Sequence, residues 1–119
     1  MQDLIKAVKA LSDETRLRIL NVLLERECCV CEVMQALDIS QTRASRNLSA
    51  LYDAGFLNMR KEGLWSLYSI STDDTEGYHS ALLAAVRKAL RGNKVIGDDR
   101  ERLRKAQRVG PGCVTRKRT

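Results

Sequence analysis

Apolar positions along the chain fall into short runs of alternating period. Leu4, Val8 and Leu11 recur at helical spacing and predict a first helix over residues 2–11. Ser12 then reads as an N-cap, with Asp13 and Glu14 in a first turn where the helix dipole favours them. Leu17, Leu20 and Leu24 carry a second helix to about Arg26. After "ECCVCEVM" begins at residue 27, Val30, Val33, Met34 and Leu37 mark a short third helix, which "DIS" (38–40) breaks. Ser40 caps a fourth helix from Gln41 to about Ala54, with Ala44, Leu48 and Leu51 inward and Gly55 at its end. The period then shortens. "FLNMR" (56–60) and "WSLYSI" (65–70), joined by "KEGL", read as a hairpin. Thr72 opens a further helix whose stripe is Leu83, Val86 and Leu90, widened by Leu82 and Ala89 and closed by Gly92. "DDRERLRKAQR" (98–108) has helix formers but almost no apolar stripe, so it reads as a solvated or frayed helix. "VGPGCVTRKRT" (109–119) reads as a mobile end.

Helix, helix, short helix, helix, hairpin, helix is the order of a mostly α fold with a β-hairpin wing, a winged helix-turn-helix. The pattern divides into a domain over residues 1–92 and a basic, partly flexible extension over 93–119. Hydrophobic residues make up 44% of the chain and aromatics 4%, so the core must be Leu, Val, Ile and Ala. A domain of this size often completes its apolar burial by dimerising, and a homodimer is expected. No apolar run is long enough for a bilayer and no leader-like segment opens the chain, which reads as cytoplasmic without a membrane partner.

The formal charge of +6 is unevenly placed. Residues 98–119 hold Arg100, Arg102, Arg104, Lys105, Arg108, Arg116, Lys117 and Arg118 against Asp98, Asp99 and Glu101, which is +5 there and +1 over residues 1–97. Bulk charge therefore argues against a DNA-packaging protein, and a DNA-binding reading needs a local surface. Residues 40–50, "SQTRASRNLSA", supply one. Ser40, Gln41, Thr42, Arg43, Ser45, Arg46, Asn47 and Ser49 crowd the N-terminal half of the fourth helix with groove-reading side chains. Arg60 and Lys61 are expected at the hairpin tip, against the phosphate backbone of double-stranded DNA.

Cys28, Cys29 and Cys31 lie within four positions, and Cys113 lies in the tail. In a reducing compartment such a cluster points to metal or redox chemistry, or to small core residues. Cys29 and Cys31 point in different directions on a regular helix, so they share one ion only in a loop or with a distorted first turn. No histidine lies near them in sequence to act as a base and no glycine-rich phosphate loop is present, so no enzymatic activity and no catalytic cofactor are expected.

Several stretches together resemble the ArsR/SmtB family of metal-sensing repressors. "ALSDETRLRILNVLL" (10–24) is similar to the family's second-helix signature. "SQTRASRNLSALYDAGFLNMRKEG" (40–63) is similar to its recognition helix and wing, with Arg46 and Asn47 where a Ser-His-His-like run is often seen. "CVCEV" (29–33) is similar to the arsenic-sensor motif ELCVCDL. The resemblance covers roughly residues 4–90. It implies a homodimer formed by the helices at 2–11 and 74–91. It also implies a repressor that holds operator DNA and releases it when As(III) or Sb(III), as inducer, binds cysteine thiolates.

That resemblance places Met34 where the family's third cysteine stands. The candidate ligand set is then Cys29 and Cys31 with either Cys28 or Cys113, the mobile tail favouring Cys113, or Cys29 and Cys31 alone. Cadmium, lead or zinc sensing, or thiol oxidation, through the same cysteines is the alternative. A zinc site on the last core helix has only His79 beside Asp73, Asp74 and Glu76 to draw on.

Overall fold

A computed structural model describes residues 1–73 and 77–109. Among the described residues, six helices and three strands follow in the order α1 (Gln2–Ala10), α2 (Glu14–Glu25), β1 (Cys28–Cys29), α3 (Val30–Leu37), α4 (Gln41–Asp53), β2 (Leu57–Glu62), β3 (Trp65–Ile70), α5 (Tyr78–Ala89) and α6 (Lys94–Lys105). The antiparallel sheet runs β1-β3-β2. The winged helix-turn-helix architecture is the one the sequence predicts, with β1 added.

Local chemistry explains most boundaries. Asp13, not Ser12, is the N-cap of α2, its carboxylate accepting from Arg16 N at 3.1 Å. The Ser12 hydroxyl instead donates back to Lys9 O at 2.6 Å and closes α1. Asp38 ends α3 in the left-handed region at φ 56°, a conformation Asp tolerates. Ser40 caps α4 and accepts from Arg43 N at 3.2 Å. At the other end of α4, Gly55 sits at φ 91°, and a Cβ there would lie 2.8 Å from His79 Nε2. The chain needs glycine here for both conformation and room.

Ile19, Leu20, Val22, Val33, Leu37, Leu48, Leu51 and Phe56 form the centre of the core. The stripe of α1 points outward: Ala7 and Ala10 are buried, while Leu4, Ile5 and Val8 are 40%, 39% and 49% exposed. Two expectations fail in instructive ways. Helix α5 begins at Tyr78, after Gly77, and not at Thr72; of its stripe only Leu83 is buried. Residues 74–76 of the expected dimer helix lie outside the described residues. Of the segment expected to be solvated or frayed, residues 98–105 belong to a packed helix, and this part of the extension contributes to the body of the domain. Ile96, Asp99 and Leu103 of α6 are buried, and α6 packs on α2 and α3. Asp99, 1% exposed, accepts two bonds at 2.8 Å from Arg18 Nε and Nη2 and a third at 2.8 Å from Arg102 Nη2. The same arginines donate to the last carbonyls of α3, Arg18 to Leu37 O at 3.0 Å and Arg102 to Ala36 O at 2.8 Å. Helix-end carbonyls without intrahelical partners are thereby satisfied.

Candidate thiol centre and nucleic-acid interface

The two-residue strand β1 decides where each thiol goes. Cys28 pairs with Tyr68 and Cys29 with Leu67, and successive strand residues face opposite ways. Cys28 enters the main core, and Tyr68 packs against that core. Its Sγ donates to Arg26 O at 3.4 Å. Burial, aided by the negative charge of Glu32, pushes the Cys28 thiol up to about 12. Cys29 faces the other side and joins Cys31 and Leu67 in a small second cluster, against which Met34, Trp65 and Val109 pack.

Cys29 and Cys31 come together there, with their Sγ atoms 3.1 Å apart. The conflict expected of a regular helix does not arise, because Cys29 is the extended N-cap of α3 at φ −85°, ψ 172° and only Cys31 is helical. No distortion of the first turn is required. Cys28 and Cys31 stand at C-x-x-C spacing, but they belong to separate clusters. Among the described residues, no three His, Cys, Asp or Glu side chains gather as a metal-binding group.

A buried carboxylate frames the pair. Glu32, 4% exposed, occupies the third position of α3 and accepts from Cys29 N at 2.9 Å, forming a capping box whose cap is a cysteine. Arg26 Nη1 holds Glu32 at 2.7 Å and Arg108 Nε at 3.3 Å. Burial raises the Glu32 carboxyl, but the Cys29 N–H and the two guanidiniums outweigh it and keep it below the usual carboxylate range. Burial raises the Cys29 thiol. The backbone N–H groups of Glu32 and Cys31 work in the opposite direction, offering donors to its sulfur. The spacing Cys29-x-x-Glu32 is the sequence signal for this arrangement, legible once cysteine is read as a cap.

The chain beyond α6 returns to the pair. Gln35 Nε2 donates to Gln107 O at 2.7 Å and Gln35 Oε1 accepts from Gln107 N at 3.2 Å, fastening this segment to α3. Cys31 Sγ lies 3.8 Å from Gln107 O. Cys113 itself lies outside the described residues.

The DNA-reading candidates divide. Thr42, Arg43, Arg46 and Ser49 are exposed on α4, and Gln41, Ser45 and Asn47 are half-buried. Arg43 Nη2 donates to Thr15 Oγ1 at 2.6 Å. Asn47 accepts from Arg16 Nε at 3.0 Å and donates to Arg43 O at 2.9 Å, so it links α4 to α2. Arg60 and Lys61 are not at the hairpin tip. The turn is Gly63-Leu64, and both residues lie within β2, opposite Leu67 and Ser66. Arg60 is gripped by Glu27 through two bonds of 2.8 Å, and Lys61 Nζ donates to Ser66 Oγ at 2.9 Å. His79 is a structural post: its Nε2 bonds with Ala54 O at 2.8 Å, and its ring meets Phe56 edge-on.

A profile of the bacterial regulatory proteins of the arsR family matches residues 13–59. An arsenical resistance operon repressor of Bacillus subtilis is 32% identical over 79 residues, 66% of this chain and 75% of the relative. The chain belongs to the ArsR family. An arsenical resistance operon repressor of Escherichia coli is 47% identical over 68 residues, 56% of this chain and 58% of the relative. The chain thus spans little more than half the length of that repressor. The solution structure of a homodimeric winged helix-turn-helix DNA-binding domain from Mycobacterium bovis, a possible ArsR-family regulator, superposes with a TM-score of 0.65. It is 30% identical and covers 78% of this chain and 82% of that one. None of the helices among the described residues is long and apolar enough to cross a membrane.

Proposed function

We propose that this ArsR-family chain is an arsenite- and antimonite-responsive repressor, which binds operator DNA as a homodimer and releases it when its thiols are loaded. The observation that carries this reading is the Cys29–Cys31 pair, 3.1 Å apart at the start of α3. Once reduced, two sulfurs held this close suit a soft, sulfur-seeking trivalent ion. Each thiol that joins gives its proton to a hydroxide of arsenious acid, which leaves as water, so loading involves no change of oxidation state. Cys113 serves as the third thiolate. Val109 packs on the pair's cluster, and four further residues span at most about 14 Å, enough to fold back over it within one subunit. Cys28 is a core residue in this reading.

Coupling runs through the helix-turn-helix. The turn from Asp38 to Ser40 joins α3 directly to α4, so a displaced start of α3 re-aims the reading helix. For strong induction the ligand must favour the low-affinity form by a few kcal/mol. The outward Leu4, Ile5 and Val8 of α1 and the sparsely covered α5 supply the dimer face. On the DNA side, Arg46, Thr42 and Ser49 stand free to enter a groove, while Asn47 holds α4 in place.

The test is fluorescence anisotropy of the reduced protein on its own promoter DNA, titrated with arsenite and separately with zinc. Release by arsenite and not by zinc is expected. Release by zinc or cadmium alone would contradict the arsenic reading, and insensitivity to arsenite with release by peroxide would assign the same thiols to oxidation sensing.

A further inference from the structure

Past α6 the chain brings one guanidinium to the wing. Arg108 Nε lies 3.3 Å from Glu32 Oε1, and its Nη1 lies 3.5 Å from Glu62 Oε2 on β2. The Glu32 end is the fixed one. That carboxylate is buried, accepts from Cys29 N at 2.9 Å and holds Arg26 Nη1 at 2.7 Å. The two bonds between Gln35 and Gln107 set the preceding residue against α3. Arg108 is thus placed from the α3 side and offers a second nitrogen to the wing.

Glu62 is shared between two arginines. Its Oε2 faces Arg108, and its Oε1 lies 3.2 Å from Arg60 Nη1. Glu27 occupies the other edge of Arg60, taking Nε and Nη2. Nη1 is therefore the nitrogen that Arg60 can turn to a phosphate, and turning it costs Glu62 a partner. A carboxylate left alone beside a phosphate backbone is repelled by it. Arg108 offsets that cost, because Glu62 keeps a guanidinium when Arg60 leaves. An ion pair as exposed as Arg108–Glu62 adds little to folding, so its effect lies in this exchange.

We propose that Arg108 is a positioning residue for operator binding: anchored on Glu32, it takes over Glu62 when Arg60 Nη1 is handed to a DNA phosphate. This rests on operator binding in the reading above, and on neither the inducer nor the oxidation state of a cysteine. It joins the segment after α6 to the wing as one DNA-facing unit.

Fluorescence anisotropy of the full chain on its promoter DNA, without inducer, is read as a double-mutant cycle of Arg108→Gln, Glu62→Gln and the two together. Arg108→Gln is expected to weaken binding about threefold, the scale of one exposed ion pair, and Arg108→Lys to recover part of the loss. The loss should shrink as salt rises. Glu62→Gln, which leaves no carboxylate to rehouse, is expected to tighten binding. In the Glu62→Gln background, Arg108→Gln should no longer change affinity. No loss in Arg108→Gln would overturn the proposal. So would a loss that persists undiminished beside Glu62→Gln, as a direct contact between Arg108 and phosphate would give. Circular dichroism checks each variant. If Arg108→Gln does not fold, Glu62→Gln decides alone, and binding no tighter than the wild type overturns the proposal. These outcomes leave operator binding standing, whereas a wild type that does not bind promoter DNA would overturn both.

Discussion

Two faces of one small sheet hold cysteines of different character. On one side Cys28 is sealed into the main core with Ile19, Leu20 and Phe56, and its thiol is held neutral far into the alkaline range. On the other side Cys29 meets Cys31 at 3.1 Å in a cluster that α3, β3 and the segment after α6 all approach. The two environments are separated by one peptide unit. A two-residue strand is enough to send adjacent thiols in opposite directions, into two separate clusters.

The sharpest way to break this contrast is to remove each sulfur in turn. Cys29→Ser and Cys31→Ser are expected to raise the arsenite needed for operator release by more than about 100-fold, since losing a ligand costs more than losing its outer partners. Cys28→Ala should leave that concentration within about threefold, and the anisotropy titration compares all three. Stability should rank the other way. Cys28→Ser puts a hydroxyl in an apolar core and is expected to cost about 1–3 kcal/mol in urea unfolding, with Cys29→Ser costing less.

Glu32 sharpens the contrast from the thiol side. Glu32→Gln keeps an acceptor for Cys29 N–H but leaves Arg26 and Arg108 without their charge partner. The expected loss is about 1–2 kcal/mol at neutral pH. Because the folded carboxyl lies below its ordinary value of 4.5, its contribution is full above that value and is lost as pH falls through the lower folded value. Acid unfolding of Glu32→Gln should lack this component. The smallest effect belongs to Cys28. Its folded thiol is raised from 9.0 to about 12, so its contribution is complete below about 9 and declines as pH rises towards 12. Cys28→Ala should lose that alkaline slope, read by thermal melting at a series of pH values.

Periodicity in the sequence was sufficient for the helices that carry their own apolar stripe, and for the DNA-reading helix with its Ser40 cap. It left direction open in α1, because a stripe records that Leu4 and Val8 seek burial without recording against what. It read most of α6 as a solvated or frayed helix and missed its packing, which depends on Ile96, Leu103 and a buried Asp99 held by two arginines, one of them Arg18 on α2, 81 residues away in sequence. Such a long-range ion pair has no local signature. The cysteine motif was legible, but its geometry was not: β1 exists only through pairing with β3, about 40 residues on, and that pairing converts Cys29 from a helical residue into a cap. Arg60 was misplaced for a related reason, since the turn falls at Gly63-Leu64 and leaves Arg60 beside Glu27.

The most direct test of the account is arsenic-edge X-ray absorption of the reduced protein loaded with one equivalent of arsenite, which counts the sulfurs around arsenic. The account predicts three in the wild type and in Cys28→Ala, and one fewer in each of Cys29→Ser, Cys31→Ser and Cys113→Ser. An undiminished sulfur count in Cys29→Ser or Cys31→Ser, or a loss of sulfur in Cys28→Ala, would contradict the division between the two faces of the sheet.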